Sequence, residues 1–185
     1  MSEHGIKHER SQALINYAYE YAKEAHGDQK RKYTDEPYII HPVAVAKIVA
    51  SVTEDCEMIC AALLHDVVED TDRTLKDIKD NFGYTIAKLV EELTDISKPE
   101  DGNRRTRKTI DRDHIADASV RGKTVKLANL IHNSESIQQY DTDFSVVYFR
   151  EVGLLLGVLS DGDVSLWQQL YRINMDYHLH YKNRK

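Results

Sequence analysis

Residues 61–71 read AALLHDVVEDT, and the fold turns on how that stretch is understood. Four apolar residues, Ala61, Ala62, Leu63 and Leu64, run straight into His65 and Asp66, with Glu69 and Asp70 three and four positions further on. On a helix turning by about 100° per residue, those four titratable groups share a sector of roughly 140°. Carboxylates crowded against an apolar helix are costly unless a cation balances them, so the pattern points to a bound divalent metal. The alternative is an exposed helix end whose acidic groups are simply solvated.

Outward from this stretch the spacing stays helical. Apolar residues recur at three and four rather than two, and only three prolines and eight glycines punctuate 185 residues, so the chain is expected to be all-α. A first helix is expected from near Ser11 to Gly27, on the stripe Leu14, Tyr17, Ala18, Tyr21, Ala22 and Ala25. A polar turn follows over 28–37, then helices from Pro42 to about Val52 and from Glu54 to about Val68. Further helices are expected over Thr74–Asn81, Tyr84–Thr94, Asn103–Ala118, Thr124–Gln138, Phe144–Leu159 and Asp163–His180, with PEDGN at 99–103 as a loop. No repeat or linker divides the chain, and a single helical bundle over 1–185 is the economical architecture.

Composition narrows the function classes. Hydrophobic residues make up 41% and charged residues 30%, an ordinary globular balance. The 31 acidic and 25 basic residues leave a net charge of −6, which opposes binding to a nucleic-acid backbone. No run approaches the roughly 18 apolar residues of a membrane span, and the N-terminus lacks an apolar signal segment, so a cytoplasmic protein without a membrane partner is expected. Cys56 and Cys60, four apart, are read as core thiols.

Two further elements carry chemistry. His41 stands before Pro42 at the mouth of the second, buried helix. In VKLANLIHN (125–133), Asn129 and Asn133 lie four apart, and Ser136 follows on the same face, while Leu127, Leu130 and Ile131 take the opposite side. A polar stripe on an otherwise apolar helix is read as the wall of a site, the alternative being a face turned to solvent. The clusters Lys30-Arg31-Lys32 and Arg104-Arg105-Thr106-Arg107-Lys108 stand out in an acidic protein and could grip anionic groups.

HP at 41–42, HD at 65–66, EDT at 69–71 and KLAN-x-x-HN at 126–133 together resemble the HD domain. More narrowly, HGDQKRKYTDEPYIIHPVAVA (26–46) and AALLHDVVEDT (61–71) are similar to the hydrolase domain of RelA/SpoT-type alarmone enzymes, the stand-alone small hydrolases being nearest in length. The resemblance covers roughly residues 8–138 and leaves the helices of 140–182 unassigned. Several spaced motifs in the right order are far more specific than one dipeptide.

The resemblance implies that His41, His65, Asp66 and Asn129 bind one divalent ion, usually manganese. Nitrogen and oxygen donors also suit iron or magnesium better than they suit structural zinc. Asn129 departs from the family's aspartate and removes a negative charge. The resemblance assigns Glu69 and Asp70 to water activation and proton transfer, and Arg31 and Lys32 to the guanine nucleotide; Asn133 and Ser136 are expected to line the same site. The chain also departs at Tyr33, where the family has a small residue, and at Ser134-Glu135-Ser136, where it commonly has M-R-T. The function implied is hydrolysis of a small phosphorylated nucleotide, a guanosine 3′,5′-bis(diphosphate) 3′-pyrophosphohydrolase being the leading expectation. The alternatives are an HD phosphohydrolase for another nucleotide or nucleotide cofactor, and a nucleotide-binding module that has lost its metal.

Overall fold

The structure, a computed structural model, describes residues 3–182. Among them are ten α-helices and one 3₁₀ turn, Pro99–Asp101. Extended pairing among these residues is confined to one antiparallel bridge between Lys30 and Pro37. The all-α expectation therefore holds. The chain divides into two compact units, Met1–Thr94 and Asp95–Lys185.

The first unit holds α1 (Glu3–His26), α2 (Ile40–Ala50), α3 (Cys56–Leu64), α4 (Val67–Asp70), α5 (Leu75–Phe82) and α6 (Tyr84–Leu93). Helix α3 is its centre and packs against α1, α2 and α6. That position explains its composition, since Met58, Cys60, Ala61, Ala62, Leu63 and Leu64 are all buried and no face remains for polar residues. Cys60 is a core thiol as expected, and burial pushes its pKa up to about 12; Cys56 is only half-buried.

Local chemistry sets the ends of these helices. Gly27, at φ 48°, adopts the left-handed conformation that ends α1. Helix α1 begins two turns before the expected Ser11, because its polar first turns leave no apolar periodicity to read. Helix α2 begins at Ile40 instead of Pro42, so Pro42 lies within the first turn, where a missing N–H costs nothing. Asp55 caps α3 by accepting from the N–H groups of Glu57 and Met58. Thr74 and Asp77 form a reciprocal capping box at α5.

One expectation is corrected. The helix from Glu54 to Val68 is not continuous: α3 ends at Leu64 and α4 begins at Val67. His65 Nδ1 lies 2.8 Å from the carbonyl of Ala62, the group that a continuing helix would offer to the N–H of Asp66. Glu69 and Asp70 thus belong to a separate single turn and do not extend one helical face.

The second unit holds α7 (Arg104–Ala116), α8 (Val120–Tyr140), α9 (Thr142–Val158) and α10 (Val164–Lys182). Helices α8, α9 and α10 pack on one another, and α7 packs on α9. Phe149 and Tyr177 stack with ring centres 4.0 Å apart at the heart of this unit. Helix α8 starts four residues before the expected Thr124, capped by Ser119, whose hydroxyl accepts from the N–H of Gly122 at 3.1 Å.

Candidate metal centre

The first turn of α2 carries His41 and the break after α3 carries His65 and Asp66. Both histidines are buried, and the Asp66 side chain is 15% exposed. One ligand atom from each of the three residues falls within 4.8 Å of the others. Asp66 Oδ2 lies 3.4 Å from His41 Nε2 and 3.2 Å from His65 Nε2. Donors around an octahedral ion at about 2.1 Å stand about 3.0 Å apart, so these separations suit one shared cation.

The protonation pattern supports the same conclusion. A carbonyl only accepts, so His65 Nδ1, facing Ala62 O, must carry the ring proton. In the neutral ring Nε2 then carries the lone pair, and this buried atom has no hydrogen bond although it faces a carboxylate oxygen. Two acceptors facing each other in a buried place repel unless a proton or a metal ion lies between them. A backbone carbonyl that fixes the tautomer of a metal-binding histidine is the usual device for presenting Nε2 to a metal.

Three side chains that the motifs did not single out complete the surroundings. Tyr38, three positions before His41, donates its hydroxyl to Asp66 Oδ2 at 2.7 Å. Burial first, and then the Asp66 and Asp70 carboxylates, push the phenol far above its ordinary range, so it remains a donor. Gln29 Nε2 reaches Asp70 Oδ2 at 3.4 Å, while Gln29 Oε1 lies 2.8 Å from Nδ1 of the buried His26. His26, Gln29 and Tyr38 all lie within the 26–46 motif, which marks the segment but not the roles of these side chains.

The other expected site residues are placed as follows. Glu69 and Asp70 lie on α4 and are exposed. Arg31 and Lys32 lie in the turn after α1, which the Lys30–Pro37 bridge closes. The Arg31 guanidinium stands 5.9 Å from the centre of the Tyr38 ring, and Lys32 lies over Tyr33. Asn129, Asn133 and Ser136 are on α8 in the second unit. Asn129 is buried and the other two are half-buried, so their stripe is not a solvated face. Asn133 Nδ2 donates to Asn129 Oδ1 at 2.6 Å. Among the described residues no helix is long and apolar enough to cross a membrane.

Comparison with known proteins identifies the family. The family model described as HD domain matches residues 18–152. A guanosine-3′,5′-bis(diphosphate) 3′-pyrophosphohydrolase of Aquifex aeolicus is 60% identical over 84 residues, which are 45% of this chain and 12% of that protein. The chain thus corresponds to a small part of that relative. The Xenopus tropicalis guanosine-3′,5′-bis(diphosphate) 3′-pyrophosphohydrolase MESH1 is 38% identical over 134 residues, covering 69% of this chain and 71% of that one. Among solved structures, one described as a metazoan ortholog of SpoT that hydrolyses ppGpp superposes with a TM-score of 0.81. It is 29% identical and covers 89% of this chain and 96% of its own.

Proposed function

The chain belongs to the HD domain family, and from that premise we propose that it is a metal-dependent phosphohydrolase of a small nucleotide. Its substrate in this proposal is guanosine 3′,5′-bis(diphosphate), cleaved at the 3′ position to release pyrophosphate. The observation that carries the proposal is the His41, His65 and Asp66 cluster, with buried Nε2 of His65 turned toward the carboxylate without a hydrogen bond.

His41, His65 and Asp66 would hold the divalent ion, manganese in the first instance, through two nitrogens and one oxygen. Asn129 stands where the family motif has an aspartate and is proposed as a neutral ligand through its amide oxygen. When bound, the ion supplies Lewis acidity, drawing charge from phosphoryl oxygens and acidifying water. Of the pair Glu69 and Asp70, one carboxylate would take a proton from the attacking water as general base and the other would assist in its transfer. Gln29 holds Asp70 while it does so. Arg31 and Lys32 bring positive charge to the nucleotide, and Asn133 and Ser136 offer it hydrogen bonds. The water oxygen would bond to the 3′-linked phosphorus as the P–O bond to the ribose 3′ oxygen breaks, and the proton held by the carboxylate would pass to that oxygen, giving guanosine 5′-diphosphate and pyrophosphate.

Asn129 in place of the aspartate favours one second reading, an HD phosphohydrolase acting on another nucleotide. A single assay decides between them. The purified chain is incubated with manganese and a panel of nucleotides, and the products are separated by chromatography. Release of pyrophosphate from guanosine 3′,5′-bis(diphosphate) is expected; turnover of a different nucleotide selects the second reading, and no metal-stimulated turnover of any overturns both.

A further inference from the structure

Tyr38 joins two parts of the first unit that the motifs treat separately. Its N–H donates to the carbonyl of Gln29 at 2.9 Å, and Arg31 N–H donates to the carbonyl of Glu36 at 2.8 Å, so the basic turn closes beside it. One neighbour of its ring is His26, with centres 4.6 Å apart and planes tilted by 35°. The Arg31 guanidinium stands 5.9 Å from the ring centre. The hydroxyl, at the far end of the ring, reaches the same Asp66 oxygen that both histidines face.

We infer that Tyr38 is a positioning residue that fixes the carboxylate of Asp66 for the metal and seats the Arg31 turn beside it. The terminal torsion of an aspartate is broad and nearly two-fold, so the backbone at Asp66 does not decide which oxygen faces the histidines. A half-buried donor held on Oδ2 does decide it. The ring does separate work. It gives the Arg31 cation a flat, apolar neighbour at cation–π range, which restrains the turn that carries the proposed nucleotide contacts. This inference rests on the metal-dependent function proposed above.

Two variants separate the roles. Tyr38→Phe keeps the ring and removes the hydroxyl, whereas Tyr38→Leu removes both. Calorimetric titration of the whole chain with manganese alone reads the first role. Loss of an outer-shell partner typically weakens a metal site by 10–100-fold, and about tenfold weaker manganese binding is expected for both variants. At manganese concentrations that saturate each protein, KM for guanosine 3′,5′-bis(diphosphate) should stay near wild type in Tyr38→Phe. It should rise by about threefold in Tyr38→Leu, the loss of a cation–π contact worth about 0.7 kcal/mol.

Wild-type manganese affinity in Tyr38→Phe overturns the positioning role, even if that variant melts earlier, since a purely structural hydroxyl would lower stability and leave the metal alone. An unchanged KM in Tyr38→Leu overturns the link to Arg31. If Tyr38→Leu does not fold, Arg31→Ala in the Tyr38→Phe background reads the same link: equal KM effects of Arg31→Ala with and without the hydroxyl are expected, and unequal ones overturn the division of labour. Absence of manganese binding by the wild type is a different failure, because it removes the metal proposal itself.

Discussion

Replacing Asp66 by alanine should separate folding from metal binding within one experiment. The side chain is 15% exposed, and its polar contacts include a hydrogen bond from Tyr38 and the approach of two histidine nitrogens. No apolar cavity opens when it is removed, and the Tyr38 hydroxyl can bond to water at the partly exposed position. The cost to the metal-free protein is then the net value of one hydrogen bond to a charged group, about 2 kcal/mol. For a chain of this length that lowers the melting temperature by roughly 4–8 °C. In the wild type, manganese at 100 times its dissociation constant adds about 2.7 kcal/mol, which raises the melting temperature by roughly 5–11 °C. The variant should lose that rise. Its turnover should fall by more than about 100-fold, since loss of even an outer-shell partner costs up to that much. Thermal melts by circular dichroism with and without manganese, run beside a phosphate-release assay, measure both quantities. A variant that keeps the full manganese-induced rise and wild-type turnover refutes Asp66 as a ligand.

Asn129→Asp should tighten manganese binding, because it adds a negative charge while keeping an oxygen to accept from Asn133 Nδ2; unchanged affinity in a calorimetric titration would show that Asn129 is not a ligand. Gly162→Ala should destabilise by about 1–3 kcal/mol, since a Cβ there meets Leu127 Cδ1 at 2.8 Å with the backbone of Leu159 and Lys123 close behind. A melting temperature equal to wild type would contradict that packing. Burial alone would raise the pKa of Asp95, but Lys126 and Lys108 outweigh it and hold the carboxyl below its ordinary 3.8. A carboxyl depressed in the folded state contributes stability above its unfolded pKa and loses it as pH falls through the folded value. The deficit of Asp95→Asn relative to wild type should therefore shrink between about pH 5 and pH 2, and a deficit that stays constant over that window counts against the ion pairs.

Much of this was legible in the residues, for identifiable reasons. Gly27 and Thr74 mark a helix stop and a helix start through local chemistry that needs no tertiary context, and both act where they were read. The apolar run of 61–64 is buried because α3 meets three other helices. The first two turns of α1 were not legible, because a polar segment carries no periodicity. Tyr38 was missed for another reason. Its hydroxyl acts on Asp66, 28 residues away in sequence, and nothing in PYII alone distinguishes a tyrosine that orients a carboxylate from one that packs beside a helix.

The break between α3 and α4 shows why the histidine and the aspartate can be adjacent in sequence and still meet. Neighbouring residues on a continuous helix point about 100° apart and do not face each other. Had the apolar run of 58–68 continued as one helix, His65 and Asp66 would present their side chains in different directions. Instead Asp66 adopts φ −94° and ψ −6°, in the sparsely populated bridge region where many active-site residues sit. Its carboxylate comes within 3.2 Å of His65 Nε2. The side chain of His65 engages the Ala62 carbonyl at the point of the break, so one histidine takes part in ending the helix and in turning its Nε2 toward Asp66. The apolar pattern on either side, LL before and VV after, is continuous and carries no trace of the interruption. Chemistry at the dipeptide therefore depends on a backbone feature that hydrophobic periodicity cannot encode, and that the hydrogen-bonding capacity of the dipeptide itself supplies.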